Sequence, residues 1–154
     1  MSKIFDSQVK HYKEKFHSTV DNVTFKSIEN FGKMHGVNAD TIKEGLNSNS
    51  EDFRRFVYSY SKTLMPGHVS CTTYAAVVAV IASNFGIEYK AFSGFCLPKS
   101  NPRYEAEKAS FESKKGSDEH PCLATHVFVE INGVAFEYYN GDTSNIDHID
   151  CVEI

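Results

Sequence analysis

Cys71 opens a stretch, CTTYAAVVAVIASNFG, that carries no charge and is built almost wholly of small, apolar and hydroxyl side chains. A thiol is a nucleophile only as the thiolate, and the first turn of a helix favours that form through unpaired N–H groups and the macrodipole. Ser70 reads as an N-cap and Gly86 as the terminator, which predicts a helix from Cys71 to about Phe85. A helix apolar on every side belongs in the middle of a domain. It would act as a rigid post with the sulfur at its tip, where core meets surface. The backbone N–H of Cys71 could then help hold a developing oxyanion. The competing reading is a small buried hydrophobe, which most cysteines are.

A thiol nucleophile needs a base, and the base needs an acceptor that fixes its tautomer. The stretch THVFVEINGVAFEYYN supplies candidates for both. Asn132-Gly133 is a two-residue type I′ turn signal, which pairs Ile131 with Val134, Val129 with Phe136, and Val127 with Tyr138. That face is apolar and must be the core side. The other face carries His126, Phe128, Glu130, Ala135, Glu137 and Tyr139, with Glu137 opposite Phe128 and diagonal to His126. His126 is the candidate base and Glu137 the candidate orienting group. Asn140 would replace Glu137 if a bulge shifted the strand by one residue, and Asp142 is a further alternate. His68, just upstream of Cys71, is expected to line the cleft with Thr72 and Tyr139. The remaining histidines (11, 17, 35, 120, 148) read as solvated surface groups. A zinc site from His120, Cys122 and His126 lacks the usual ligand spacing, so neither a metal nor another cofactor is expected.

These groups need elements to hold them. Ile4, Phe5, Val9, Tyr12 and Phe16 recur at helical spacing, as do Phe25, Ile28, Phe31 and Met34 up to Gly36. NADTIKEGL suggests a third helix opened by Asn38. SNSEDFRRFVYSYSKTLMPG suggests a fourth, with a Ser48–Glu51 capping box and an apolar stripe from Phe53 to Leu64. That stripe reads as core packing and not as a ligand platform. After the central helix, Ile87 to Phe92 or slightly beyond reads as a strand. The polar segment 98–121 reads as a long loop or lid with one helical turn around Tyr104 to Phe111. The chain then finishes in the hairpin. The expectation is an α+β fold in a single domain, 1–154. Residues 1–66 would form its helical N-terminal region, and residues 67–154 a catalytic core whose buried helix packs on a small antiparallel sheet.

The chain of 154 residues, 41% hydrophobic, can bury a real core without disulfides or metal. A net charge of −4 with no basic face argues against nucleic-acid binding. The charged N-terminus has no apolar h-region of a Sec signal, and residues 74–82 are too short to span a bilayer, so no membrane role is expected. Four scattered cysteines without a CxxC pair fit reduced cytoplasmic thiols better than a disulfide framework, with two bridges left open. A protein exported by a non-Sec route, or a phage protein, would read the same. The sequence assigns no oligomeric state.

The ordered set of Cys at a helix start, then Gly-Ile, then a strand ending in Gly, then His on a hairpin strand, resembles the transglutaminase-like branch of the papain-type cysteine enzymes. The likeness lies in SCTTYAAVVAVIASNFGIEYKAFSG and THVFVEINGVAFEYYN, about the C-terminal half. It implies a Cys71 nucleophile, a His126 base, Glu137 as third member, and acyl transfer through a thioester. Glu137 stands where the family commonly has Asp, and Thr72 where it commonly has an aromatic. A second likeness is to CHAP-type amidases, through CTTYAA and the later His126 and Glu137. Their Trp- and Asn-rich middle and an export signal are absent from this sequence. The resulting expectation is a thiol hydrolase acting on a peptide, isopeptide or glutamine side-chain amide of a protein or peptide substrate. A CHAP-type cell-wall amidase and a non-catalytic interaction domain are the alternatives.

Overall fold

Local capping signals set the first half of the chain. The structure, a computed structural model, describes residues 3–117, 123–139 and 145–154. Helix α1 spans Lys3–Asn22 and buries Phe5 and Phe16. Helix α2, Phe25–Met34, is capped by Thr24, whose side chain accepts the Ser27 N–H. Helix α3, Ala39–Ser48, is capped by Asn38, which accepts from Thr41. Helix α4, Glu51–Leu64, is capped by Ser50 and not by Ser48. The expected capping box fails because Ser48 still belongs to α3. That helix ends one residue later, at Asn49, in the left-handed conformation with φ +43°.

Helix α5, Cys71–Asn84, begins and ends as its sequence dictates. The Ser70 side chain accepts the Thr73 N–H, and Gly86 turns the chain away at φ +67°. Every residue from Thr72 to Ala82 is buried, because α1, α4 and strand 126–131 all pack against this helix. Each buried Val or Ile contributes roughly 1.5–3 kcal/mol of transfer free energy, so this helix anchors the core.

The sheet has four antiparallel strands in the order β3-β2-β1-β4. They are β1 (Lys90–Pro98), β2 (His126–Ile131), β3 (Val134–Phe136) and β4 (Ile146–Glu153). The architecture is α+β, with six helices and this one sheet among the described residues. Strand β1 starts later than the expected Ile87 and runs to Pro98, because it is central and bonds to a neighbour on each edge. The hairpin register is as predicted for Ile131↔Val134 and Val129↔Phe136, with Asn132 and Gly133 both at positive φ. The ladder then stops at Phe136, so the expected pairs Phe128–Glu137 and Val127–Tyr138 lie beyond it.

Strand β4 has no counterpart among the sequence-based expectations. It pairs along β1 with Cys96 opposite His148 and Phe95 opposite Asp150, which leaves Ile149 as the extra residue of a bulge. Ile149 therefore packs with Phe95 and Leu97, while His148 and Cys151 both turn to the other face. Gly94 allows the close approach of the two strands: a Cβ there would lie 2.0 Å from the Asp150 carbonyl oxygen.

The segment expected as a loop with one helical turn contains helix α6, Tyr104–Lys114, of 11 residues. Side chains anchor it to the sheet. Phe111 stacks on Phe95 with ring centroids 4.2 Å apart, and Tyr104 and Lys108 both bond to Asp147. No described helix is long and apolar enough to cross a membrane.

Candidate active site

Cys71 is the first residue of α5, half-buried, with its sulfur 3.9 Å from the Thr72 hydroxyl. His126 is the first residue of β2 and is fully buried. Packing of the central helix on the sheet brings the two together from distant positions in the chain. The Nε2 of His126 lies 2.8 Å from Glu137 Oε1. Its Nδ1 is buried and makes no hydrogen bond within ordinary limits, the Cys71 sulfur included, while the electrostatic coupling of Cys71 and His126 sets the two groups beside each other. Glu137 directly follows the last residue of β3 and is 5% exposed.

The proton affinities of the three groups depend on one another. Burial raises the Cys71 thiol, yet the hydrogen bond and charge of His126, the Val127 N–H and the Thr72 hydroxyl together bring it below the ordinary value. Burial works against a charged His126, and the hydrogen bonds and charges of Cys71 and Glu137 outweigh it, pushing the imidazole up to about 9. Burial likewise raises Glu137, and the hydrogen bonds and charges of His126 and His148 bring it below the usual carboxylate range. All three shifts run in the direction of a thiolate, an imidazolium and a carboxylate.

A cavity of about 240 Å³ opens beside the sulfur, lined by Cys71, Tyr12 and Lys15 of α1, His68, Thr72 and Tyr139, with Val69, Ser70, Thr125 and Tyr138 completing the wall. The three residues expected to line a cleft thus share one with Cys71. Tyr139 also lies against the imidazole, with ring centroids 4.9 Å apart. Asn140 and Asp142, the alternates for the third position, lie outside the described residues, as do His120 and Cys122. Among the described residues no group of three His, Cys, Asp or Glu side chains could hold a metal ion.

His148 is a correction. Expected as a solvated surface group, it is only 28% exposed, and its Nε2 lies 2.8 and 3.0 Å from the two Glu137 oxygens. Its ring stacks on Phe128 at 4.1 Å between centroids, and Phe128 in turn neighbours His126 at 6.0 Å. In IDHIDCVE the apolar residues Ile146, Ile149, Cys151 and Val152 do not alternate with polar ones, and the bulge that turns His148 inward shifts the phase of the strand.

Cys96 and Cys151 are free thiols whose sulfurs lie 3.3 Å apart across β1 and β4. The Cys151 hydrogen bond, then burial, pushes Cys96 far up, whereas the Cys96 thiol, by donating to Cys151, draws Cys151 down. Comparison of the chain with protein-family models, curated proteins and solved structures finds no match.

Proposed function

We propose that this protein is a cysteine hydrolase that cleaves an amide through a thioester. The observation that carries this reading is the chain Cys71–His126–Glu137, drawn from a helix start, a strand start and the residue just after β3, with every proton affinity shifted toward the reactive ion pair. Perturbed titration of this kind beside a cleft marks sites of chemistry.

In the proposed mechanism the Cys71 sulfur attacks the carbonyl carbon of a bound amide. The carbonyl π pair moves to oxygen, where first-turn N–H groups of α5 stabilise the oxyanion. Collapse breaks the C–N bond, and His126 gives its proton to the departing amine. Water, deprotonated by His126, then attacks the thioester and releases the acid, with the proton returning to the Cys71–His126 pair. Glu137 fixes the His126 tautomer and stabilises its positive charge throughout. The substrate class is a peptide, isopeptide or glutamine side-chain amide.

The test is alkylation of Cys71 by iodoacetamide as a function of pH, followed by peptide mapping. The half-rate pH should lie below the ordinary thiol value of about 8.5. A thiol-reactive activity probe should then label Cys71 and compete with a peptide amide substrate. A Cys71 that alkylates like a free or sealed thiol overturns the enzyme reading and leaves an interaction domain.

A further inference from the structure

The hydrogen-bond chain does not stop at Glu137. One nitrogen of His148 bridges both carboxylate oxygens, at 2.8 and 3.0 Å, while His126 meets Oε1 alone. A carboxylate only accepts, so the proton on that His148 nitrogen points at Glu137. The His148 ring is held flat against Phe128, and the bulge at Ile149 is what turns it to this face. A buried carboxylate with one partner would leave its second oxygen unsatisfied and its terminal torsion free over a broad range. Around His148 stand Glu137 and, beyond it, His126; Cys96 lies opposite on β1 and Cys151 further along β4. Asp147 and Asp150 of its own strand are engaged by Lys108 and Lys115.

We infer that His148 is a positioning residue of this site: it clamps the Glu137 carboxylate so that Oε1 stays on His126 and the imidazole keeps Nδ1 toward Cys71. It acts through Glu137 and not on the sulfur. The inference rests on the hydrolase reading above and extends it to a fourth side chain from the last strand of the sheet.

The experiment compares the full-length wild type with His148→Phe and His148→Gln, following Cys71 alkylation against pH by peptide mapping, with a thermal melt for each. Gln keeps a side-chain N–H that can donate to the carboxylate; Phe does not. His148→Phe should move the half-rate pH upward by about one unit, which makes alkylation at pH 6 about tenfold slower, and His148→Gln should recover most of that loss. An unmoved or downward-shifted profile in a folded His148→Phe overturns the inference, as does an upward shift that Gln does not recover. Should the Phe variant not fold, imidazole nitrogen NMR of the wild type decides. At neutral pH His148 must carry a hydrogen-bonded Nε2–H, and an Nδ1–H tautomer overturns the clamp. A wild-type thiol with an ordinary profile overturns the hydrolase reading itself and removes the basis of this one. A depressed wild-type profile with an unmoved His148→Phe overturns the role of His148 alone.

Discussion

Cys71 and Cys96 are both thiols set into the core, and burial raises the proton affinity of each. They end on opposite sides of the ordinary value. Cys71 faces an imidazole whose other nitrogen is tied to a carboxylate, and the hydrogen bond and charge of that imidazole, with the Val127 N–H and the Thr72 hydroxyl, outweigh desolvation. Cys96 faces only a second thiol, to which it donates, so nothing opposes desolvation there. Burial alone makes a cysteine inert; a buried counter-charge makes it reactive.

The largest test of that contrast is Cys71→Ala. It should abolish amide hydrolysis and the substrate-competed probe labelling at pH 6, while Cys96→Ala leaves both within about twofold, since Cys96 stays protonated. Labelling that survives in Cys71→Ala and vanishes in Cys96→Ala would reverse the comparison.

Next in size is the scaffold beneath the two thiols. Ile81, fully buried in α5, should cost about 3–4 kcal/mol as Ile81→Ala, read from denaturant unfolding. Cys71→Ser at the half-buried tip of the same helix should cost about 1 kcal/mol or less while removing activity. Equal costs would mean that the tip is packed as core and not held as a site.

Glu137→Gln sharpens the electrostatic half of the comparison. Losing the carboxylate charge should lower His126 from about 9 and raise Cys71, slowing alkylation at pH 6 roughly tenfold. The sign of the stability effect follows from linkage. Glu137 has its folded value depressed, so its contribution is present above the unfolded carboxylate value and is lost as pH falls through the folded one. The wild type should therefore melt above Glu137→Gln at pH 7, and the gap should close in acid. His126 has the opposite sign: its raised value contributes stability below its unfolded value, and that contribution fades as pH rises through about 9. A gap between the two proteins that widens in acid would contradict the ion-pair assignment.

The smallest expected effect is that of Thr72→Val. The 3.9 Å contact from its hydroxyl to the sulfur is long, so the alkylation profile should shift upward by only a few tenths of a pH unit, about a twofold change at pH 6. A shift as large as that of Glu137→Gln would move the source of thiol activation from the imidazole to the helix start.

Most of the fold is legible where a signal is local. Asn38 and Ser70 cap the helices that their positions predict, and Asn132-Gly133 sets the hairpin register, because caps and two-residue turns depend on a few adjacent residues. Ser48 misleads because a capping-box spacing does not say where the previous helix ends. Strand β4 and the full length of helix α6 escape because their pairing and docking partners lie far away in the chain. Tyr104 and Phe111 become informative only once Asp147 and Phe95 stand beside them.

The sequence by itself determined that a cysteine heads a buried helix and that a histidine and a glutamate lie near each other on and just beyond a hairpin, since periodicity, caps and turn chemistry act over a few residues. Only the tertiary structure decided that the imidazole meets the sulfur, that its far nitrogen meets the carboxylate, and that a bulge in the last strand aims His148 at the same oxygens. The His126–Glu137 and His148–Glu137 bonds each join residues 11 positions apart, and Cys71 stands farther still along the chain. Distances of that kind are set by how helices and strands pack, not by any local preference.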